Sequence, residues 1–95
     1  MGDLTVTSRL RARITIGAVE IQTLEALPLQ PRARTLVAMS KADLGCASAR
    51  LASQPDNLEL EHLGRWVEMV ESRLRIVRAA VTAIRLSEPA QRNPS

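Results

Sequence analysis

Four groups of side chains in this sequence have types and spacings that could do chemistry. His62 is the sole histidine. As a phospho-acceptor it needs exposure, a nearby cation and a small neighbour. Arg65 and Gly64 supply the last two, but Trp66, one helical turn on, crowds the position. Cys46 is the sole cysteine. A nucleophilic role requires a base and an activating environment, and a small buried or boundary thiol is the plainer reading. Glu59, Glu61, Glu68 and Glu71 are close in sequence, yet acid–base work needs a pocket that perturbs their pKa values. On the charged side of a helix they read as a solvated face. Arg9, Arg11 and Arg13, with Arg32 and Arg34, form the fourth group, a basic patch that would suit the phosphates of DNA. One His and one Cys, well apart in sequence, make no metal site, and no Gly-rich phosphate loop is present. Neither a metal nor a cofactor is expected, and the chain reads as a protein without an active site of its own.

The elements that position these residues are cut out by Pro28, Pro31, Pro55, Pro89 and Pro94. The last long segment is the clearest. Asp56 followed three residues later by Glu59 forms a capping box. Leu60, Leu63, Val67, Val70, Leu74, Val77, Val81 and Ile84 then recur at alternating spacings of three and four, a heptad seam. A helix over about 58–86 would be roughly 43 Å long. Glutamates lead and arginines finish, which complements the helix dipole. A second stripe of Trp66, Met69, Ile76, Ala80 and Ala83 widens the apolar face, as in a central helix that meets two neighbours.

The middle segment reads as a helix over about 31–53, with Pro31 in the first turn. Its seam is Ala33, Val37, Ser40, Leu44, Ala47 and Leu51. Beside that seam run Ala38, Ala42, Gly45, Ala49 and Ala52, small residues expected to let another helix come close. Gly45 costs helix stability of about 1 kcal/mol relative to Ala, and close packing would explain its presence. The first segment, helix over about 8–27, carries Leu10, Ile14, Gly17, Ile21 and Leu24 on one face. Its many β-branched residues favour strand, so a β-hairpin turning near Gly17 stays open as the alternative. Residues 1–7 are expected to be flexible and 87–95 to be a disordered tail.

The 95 residues make one domain at most, with a modest core. One Trp and no Phe or Tyr leave that core to aliphatic residues, which suits packed helices. It suits single-stranded nucleic acid poorly, because bases stack on aromatic platforms. The net charge of +3 arises from 12 arginines and one lysine against 10 acids, a bias that a GC-rich coding sequence also produces. One cysteine and no apolar run near the ~20 residues of a membrane span point to a cytoplasmic protein without membrane contact. The fold expected is all-α, an antiparallel three-helix bundle with a long C-terminal heptad-patterned helix.

One stripe of the last helix reads Glu61, Gly64, Glu68, Glu71, Arg75, Arg78, Thr82, Arg85. Two copies packed antiparallel about Ser72 would set Glu61, Glu68 and Glu71 against Arg85, Arg78 and Arg75, the self-complementarity that a two-fold axis requires. A homodimer is expected on that ground; Glu71–Arg75 pairing within one helix and dipole complementation are the alternative.

Three resemblances accompany these patterns. VAMSKADLGCASARLA, from Val37 to Ala52, resembles the region after the histidine of histidine-phosphotransfer domains, with Thr35 standing where that histidine would be. The helix pair over 31–53 and 58–86 looks like the hairpin of small type III secretion co-chaperones. HLGRWVE at His62–Glu68 and ITIGAV at Ile14–Val19 are similar to pieces of TraM-type quorum-sensing antiactivators, small bacterial helical proteins that sequester a transcription factor. The last two imply stoichiometric protein binding, in which one protein masks another's amphipathic helix. That is the function expected here, regulation or chaperoning by helix-in-groove contact, with Trp66, Met69 and Ile76 as anchors. Core packing of those three against the first helix is the competing reading. The rival functions are a DNA-binding regulator using Arg9, Arg11, Arg13, Arg32 and Arg34, and phosphotransfer through His62.

Overall fold

A computed structural model describes the backbone of residues 4–92 and the side chains of residues 4–84. It contains three helices, and no strand among the described residues: α1 (Leu4–Glu25), α2 (Pro31–Ala52) and α3 (Asn57–Arg92). The hairpin alternative is thereby overturned. The first segment is one continuous helix, in which Thr15 and Thr23 donate their hydroxyls to the carbonyls of Arg11 and Val19, one turn back. Those bonds satisfy a polar group that otherwise competes with helix. The aliphatic members Ile14 and Ile21 are buried, and that burial outweighs their strand propensity.

The element bounds differ from the expected ones. α1 starts at Leu4 instead of Ser8 and stops at Glu25. α3 runs to Arg92, through the segment expected to be a tail; the side chains of 85–95 and residues 1–3 lie outside the described residues.

Three of the helix ends have a local cause. Pro31 opens α2, where its missing N–H is no loss. Asp56 caps α3: its Oδ1 accepts the Glu59 backbone N–H at 2.8 Å. The second half of the expected capping box is replaced, because the Glu59 carboxylate reaches Arg50 of α2 at 3.7 Å. After α2, Gln54 takes a left-handed conformation with φ 58°, and the N–H groups of Ser53 and Gln54 bond the carbonyls of Arg50 and Leu51. This is the tight stop at which glycine is the commonest residue.

The three helices all touch one another and share one apolar cluster. α1 contributes Leu10, Ile14, Ile21 and Leu24; α2 contributes Val37, Leu44, Ala47 and Leu51; α3 contributes Leu60, Leu63, Val67, Val70, Leu74 and Val77. Leu29, in the first connection, joins them. Ser40 is fully buried, and its hydroxyl is satisfied by the Leu36 carbonyl at 2.8 Å. At its far end the α3 row loses its cover: Val81 is half-buried and Ile84 is 41% exposed. Length explains this, since 22-residue helices span about 33 Å while the 36 residues of α3 span about 54 Å. The molecule is accordingly a rod of 63 × 22 × 17 Å.

The close approach of helices falls on a different glycine from the one expected. A methyl group at Gly17 of α1 would lie 2.8 Å from Leu44 Cδ1 of α2, whereas one at Gly45 meets nothing within 4 Å. Ala38, Ala42, Gly45, Ala49 and Ala52 are all exposed. The small-residue row of α2 therefore faces outward.

Candidate functional site

Ion pairs between helices fix where each charged side chain can act. Arg13 of α1 grips Glu71 of α3 with two hydrogen bonds, Nε to Oε2 at 3.0 Å and Nη2 to Oε1 at 2.6 Å. That hydrogen bond holds the Glu71 carboxyl below its ordinary range and the Arg13 guanidinium above its own, against the partial desolvation of both. Arg78 of α3 reaches Glu20 of α1 at 3.4 Å. Arg73 of α3 donates to Asp43 of α2 at 2.7 Å, and both side chains are largely shielded, 16% and 29% exposed.

These pairs rearrange the sites read from sequence. Glu71 and Arg78, assigned to a dimer stripe, are engaged by α1 of the same chain. Glu61, Glu68 and Arg75 of that stripe are exposed and make no ion pair among the described residues. Arg85 lies outside the described side chains. The proposed basic patch is not assembled either. Arg13 is taken by Glu71, and Arg34 donates to the Leu29 carbonyl at 3.2 Å. Arg9 and Arg11 sit in the first half of α1, with Arg11 about 21 Å along the axis from the helix end near Arg32.

His62 and Cys46 are exposed, on α3 and α2. Among the described residues no three His, Cys, Asp or Glu side chains come close enough to hold a metal ion. A depression of about 350 Å³ between α1 and α2 is lined by Ile14, Ala18, Ile21, Glu25, Lys41 and Leu44 among others, and its one carboxylate already faces Lys41 at 3.3 Å.

The Asp43–Arg73 pair, in contrast, marks the centre of an uncovered apolar face. Met39 and Cys46 stand four residues before and three after Asp43, so they share its side of α2. Met69 and Ile76 stand at the same two offsets from Arg73 on α3. Met39 and Met69 are each 47% exposed, Ile76 is 62% exposed, and Cys46 is exposed. Trp66 lies seven residues from both Glu59 and Arg73, which pair with Arg50 and Asp43; it therefore sits on the α2 edge of α3. It is half-buried, packed against the core, as is Leu36 on α2. Of the three expected anchors, Trp66 thus packs partly into the core, on the α2 edge instead of against the first helix. Met69 and Ile76 face outward beside it. Met39 and Cys46 were not foreseen as members of this face, although their seven-residue spacing was legible.

No helix among the described residues is long and apolar enough to cross a membrane. No protein-family model, no curated protein and no solved structure matches this chain, so the resemblances noted above rest on their residues alone.

Proposed function

We propose that this protein works by binding another protein, as a stoichiometric regulator or chaperone of the antiactivator or co-chaperone kind. The contact surface is the outer face of α2 and α3, and the partner contributes an amphipathic helix. The observation that carries the reading is the cluster of Met39, Cys46, Met69 and Ile76, exposed around one shielded ion pair with Trp66 alongside. Methionine adapts to differing partner shapes and tryptophan dominates contact energies.

The bundle we infer runs up, down and up. Arg13–Glu71 and Glu20–Arg78 are each 58 residues apart, the constant offset of parallel neighbours. Asp43–Arg73 and Arg50–Glu59 meet in reverse order along the chain, as antiparallel neighbours do. The alternating spacing of buried α3 residues from Leu60 to Val77 supports a heptad seam. That arrangement sets α2 and α3 side by side and leaves the groove between them facing out.

The test follows Trp66 fluorescence, a single-residue reporter, while amphipathic helical peptides are titrated. A saturable blue shift that Ile76→Asp abolishes, with an unchanged melting temperature, is the expected result. No shift with any peptide at millimolar concentration removes the proposal. A second reading, a homodimer along α3, draws on Glu68 and Arg75, which lie seven residues apart, exposed and without an ion pair among the described residues.

A further inference from the structure

The ion pair at the centre of the α2–α3 face uses only part of its hydrogen-bonding capacity. Arg13 and Glu71 make two hydrogen bonds, but Asp43 and Arg73 make one, Nη1 to Oδ2 at 2.7 Å. Asp43 Oδ1 and Arg73 Nε and Nη2 have no hydrogen-bond partner among the described residues, and none of them is cut off from the surface. No other charge stands three or four residues from either side chain. Met39, Ser40, Cys46 and Ala47 flank Asp43, and Met69, Val70, Ile76 and Val77 flank Arg73. The pair is therefore a neutral, polar centre within an apolar ring. A purely apolar helix laid across it would strip water from the three groups and give nothing in return.

We infer that a second copy of this chain covers this face, about a two-fold axis that runs along the groove between α2 and α3. This rests on the reading of the face as a protein-contact surface and on the up-down-up arrangement above. It adds what occupies the face until a partner helix displaces it. Such an axis keeps every residue at its own height and exchanges the two helices across the interface. Asp43 then faces the partner's Arg73, and Arg73 the partner's Asp43. Four charges alternate in a ring, and the unused oxygen and N–H groups meet. Met39 faces the partner's Ile76 and Cys46 the partner's Met69, because all four stand at matching offsets from the ion pair. At the rim Arg50 and the partner's Arg65 come near each other, and each has carboxylates of its own. Glu59 pairs with Arg50, while Glu61 and Glu68 stand four before and three after Arg65. The 22-residue α2 is about 33 Å long and two adjoining helices are about 18 Å wide, so the face offers about 600 Å² per copy. Two such faces bury about 1,200 Å², enough for a specific interface. Glu68 and Arg75 take no part, since they lie toward α1, where they act on Arg13 and Glu71.

The test exchanges the two charges. Asp43→Arg/Arg73→Asp keeps the pair within the chain and keeps the ring between two exchanged copies. Between an exchanged and an unaltered copy it sets acid against acid and base against base. Light scattering, over a concentration series up to about 1 mM, is expected to show a dimer for each chain alone. The two chains are then mixed in equal amounts, with a short N-terminal tag to separate their masses in native mass spectrometry. The mixed dimer is expected at least tenfold below its statistical share. Ile76→Asp is expected to return the chain to a monomer with an unchanged circular dichroism spectrum. Free mixing of the two chains overturns the inference. A mixed dimer in excess of its share overturns it as well, since that outcome fits an axis across the groove, with Asp43 against the partner's Asp43. A dimer that Arg75→Glu dissociates and Ile76→Asp does not is built on α3, and also overturns it. A monomeric mass at every concentration overturns it too, while a peptide-induced Trp66 shift in the same samples leaves the protein-binding reading standing.

Discussion

At the scale of single residues, Arg13 grips Glu71 at two points, which ties α1 to α3. Because the hydrogen bond depresses the Glu71 pKa in the folded state, the stability it contributes is fully present above the ordinary carboxylate range. It is lost as the pH falls through the lower, folded value. Glu71→Gln is expected to lower the melting temperature at neutral pH by no more than about 5 °C, since the pair is a third exposed and screened. In acid the variant and the wild type should converge, and a gap that persists there in a melting series contradicts the assignment. Gly17 is the other decisive residue. Valine there drives its side chain into Leu44, whose near methyl must move within a packed core. A loss of about 1–3 kcal/mol in chemical denaturation is expected, and shortening Leu44 to Ala in the same chain should recover part of it.

Helices as units show why similar patterns had different fates. α1 and α2 both carry a row of apolar or small residues opposite or beside the buried one, and only packing partners decide which row is used. Gly45→Ala touches nothing, so it removes only the helix cost of glycine and should stabilise by about 0.5–1 kcal/mol. Destabilisation in a urea titration would mean that the outward row of α2 is covered after all. Asp56→Ala removes the side-chain cap at the start of α3 and should cost about 1 kcal/mol, read in the same assay. The buried rows of all three helices were legible from spacing: Leu10 to Leu24, Val37 to Leu51, and Leu60 to Val77. They were legible because a helix that buries one stripe must repeat its apolar residues every three or four positions. The hairpin alternative for the first segment arose from strand propensity, a bias of about 1 kcal/mol that burial of Ile14 and Ile21 overrides.

For the whole molecule, the question is what covers the outer faces. A homodimer built on α3 would pair Glu68 with Arg75 of the partner copy. Light scattering behind size exclusion, over a concentration series, should then give twice the 10.4 kDa chain mass, and Arg75→Glu should halve it. A monomeric mass for the unaltered chain removes the dimer and leaves the α2–α3 face as the first surface to examine. Ile76→Asp bears on the same scale from the other direction. An exposed position tolerates the change within about 0.5 kcal/mol, so loss of peptide binding with unchanged melting reports on the surface and not on the fold.

The sequence by itself determined the helices α2 and α3, the residue rows that a helix in each segment would bury, the start of α2 at Pro31 and the cap at Asp56. Each of these is written in residues within a turn or two of one another. Which charges would meet was decided only by the tertiary structure. Arg13 and Glu71 lie 58 residues apart, as do Glu20 and Arg78, and no local rule says that they face each other. Read alone, Glu71 and Arg78 belonged to a stripe and Arg13 to a patch. Packed together, they cross-link α1 to α3. The outward position of Met69 and Ile76 was likewise a tertiary outcome: an apolar stripe states that a helix needs cover, and only the number of neighbouring helices determines whether the chain itself provides it.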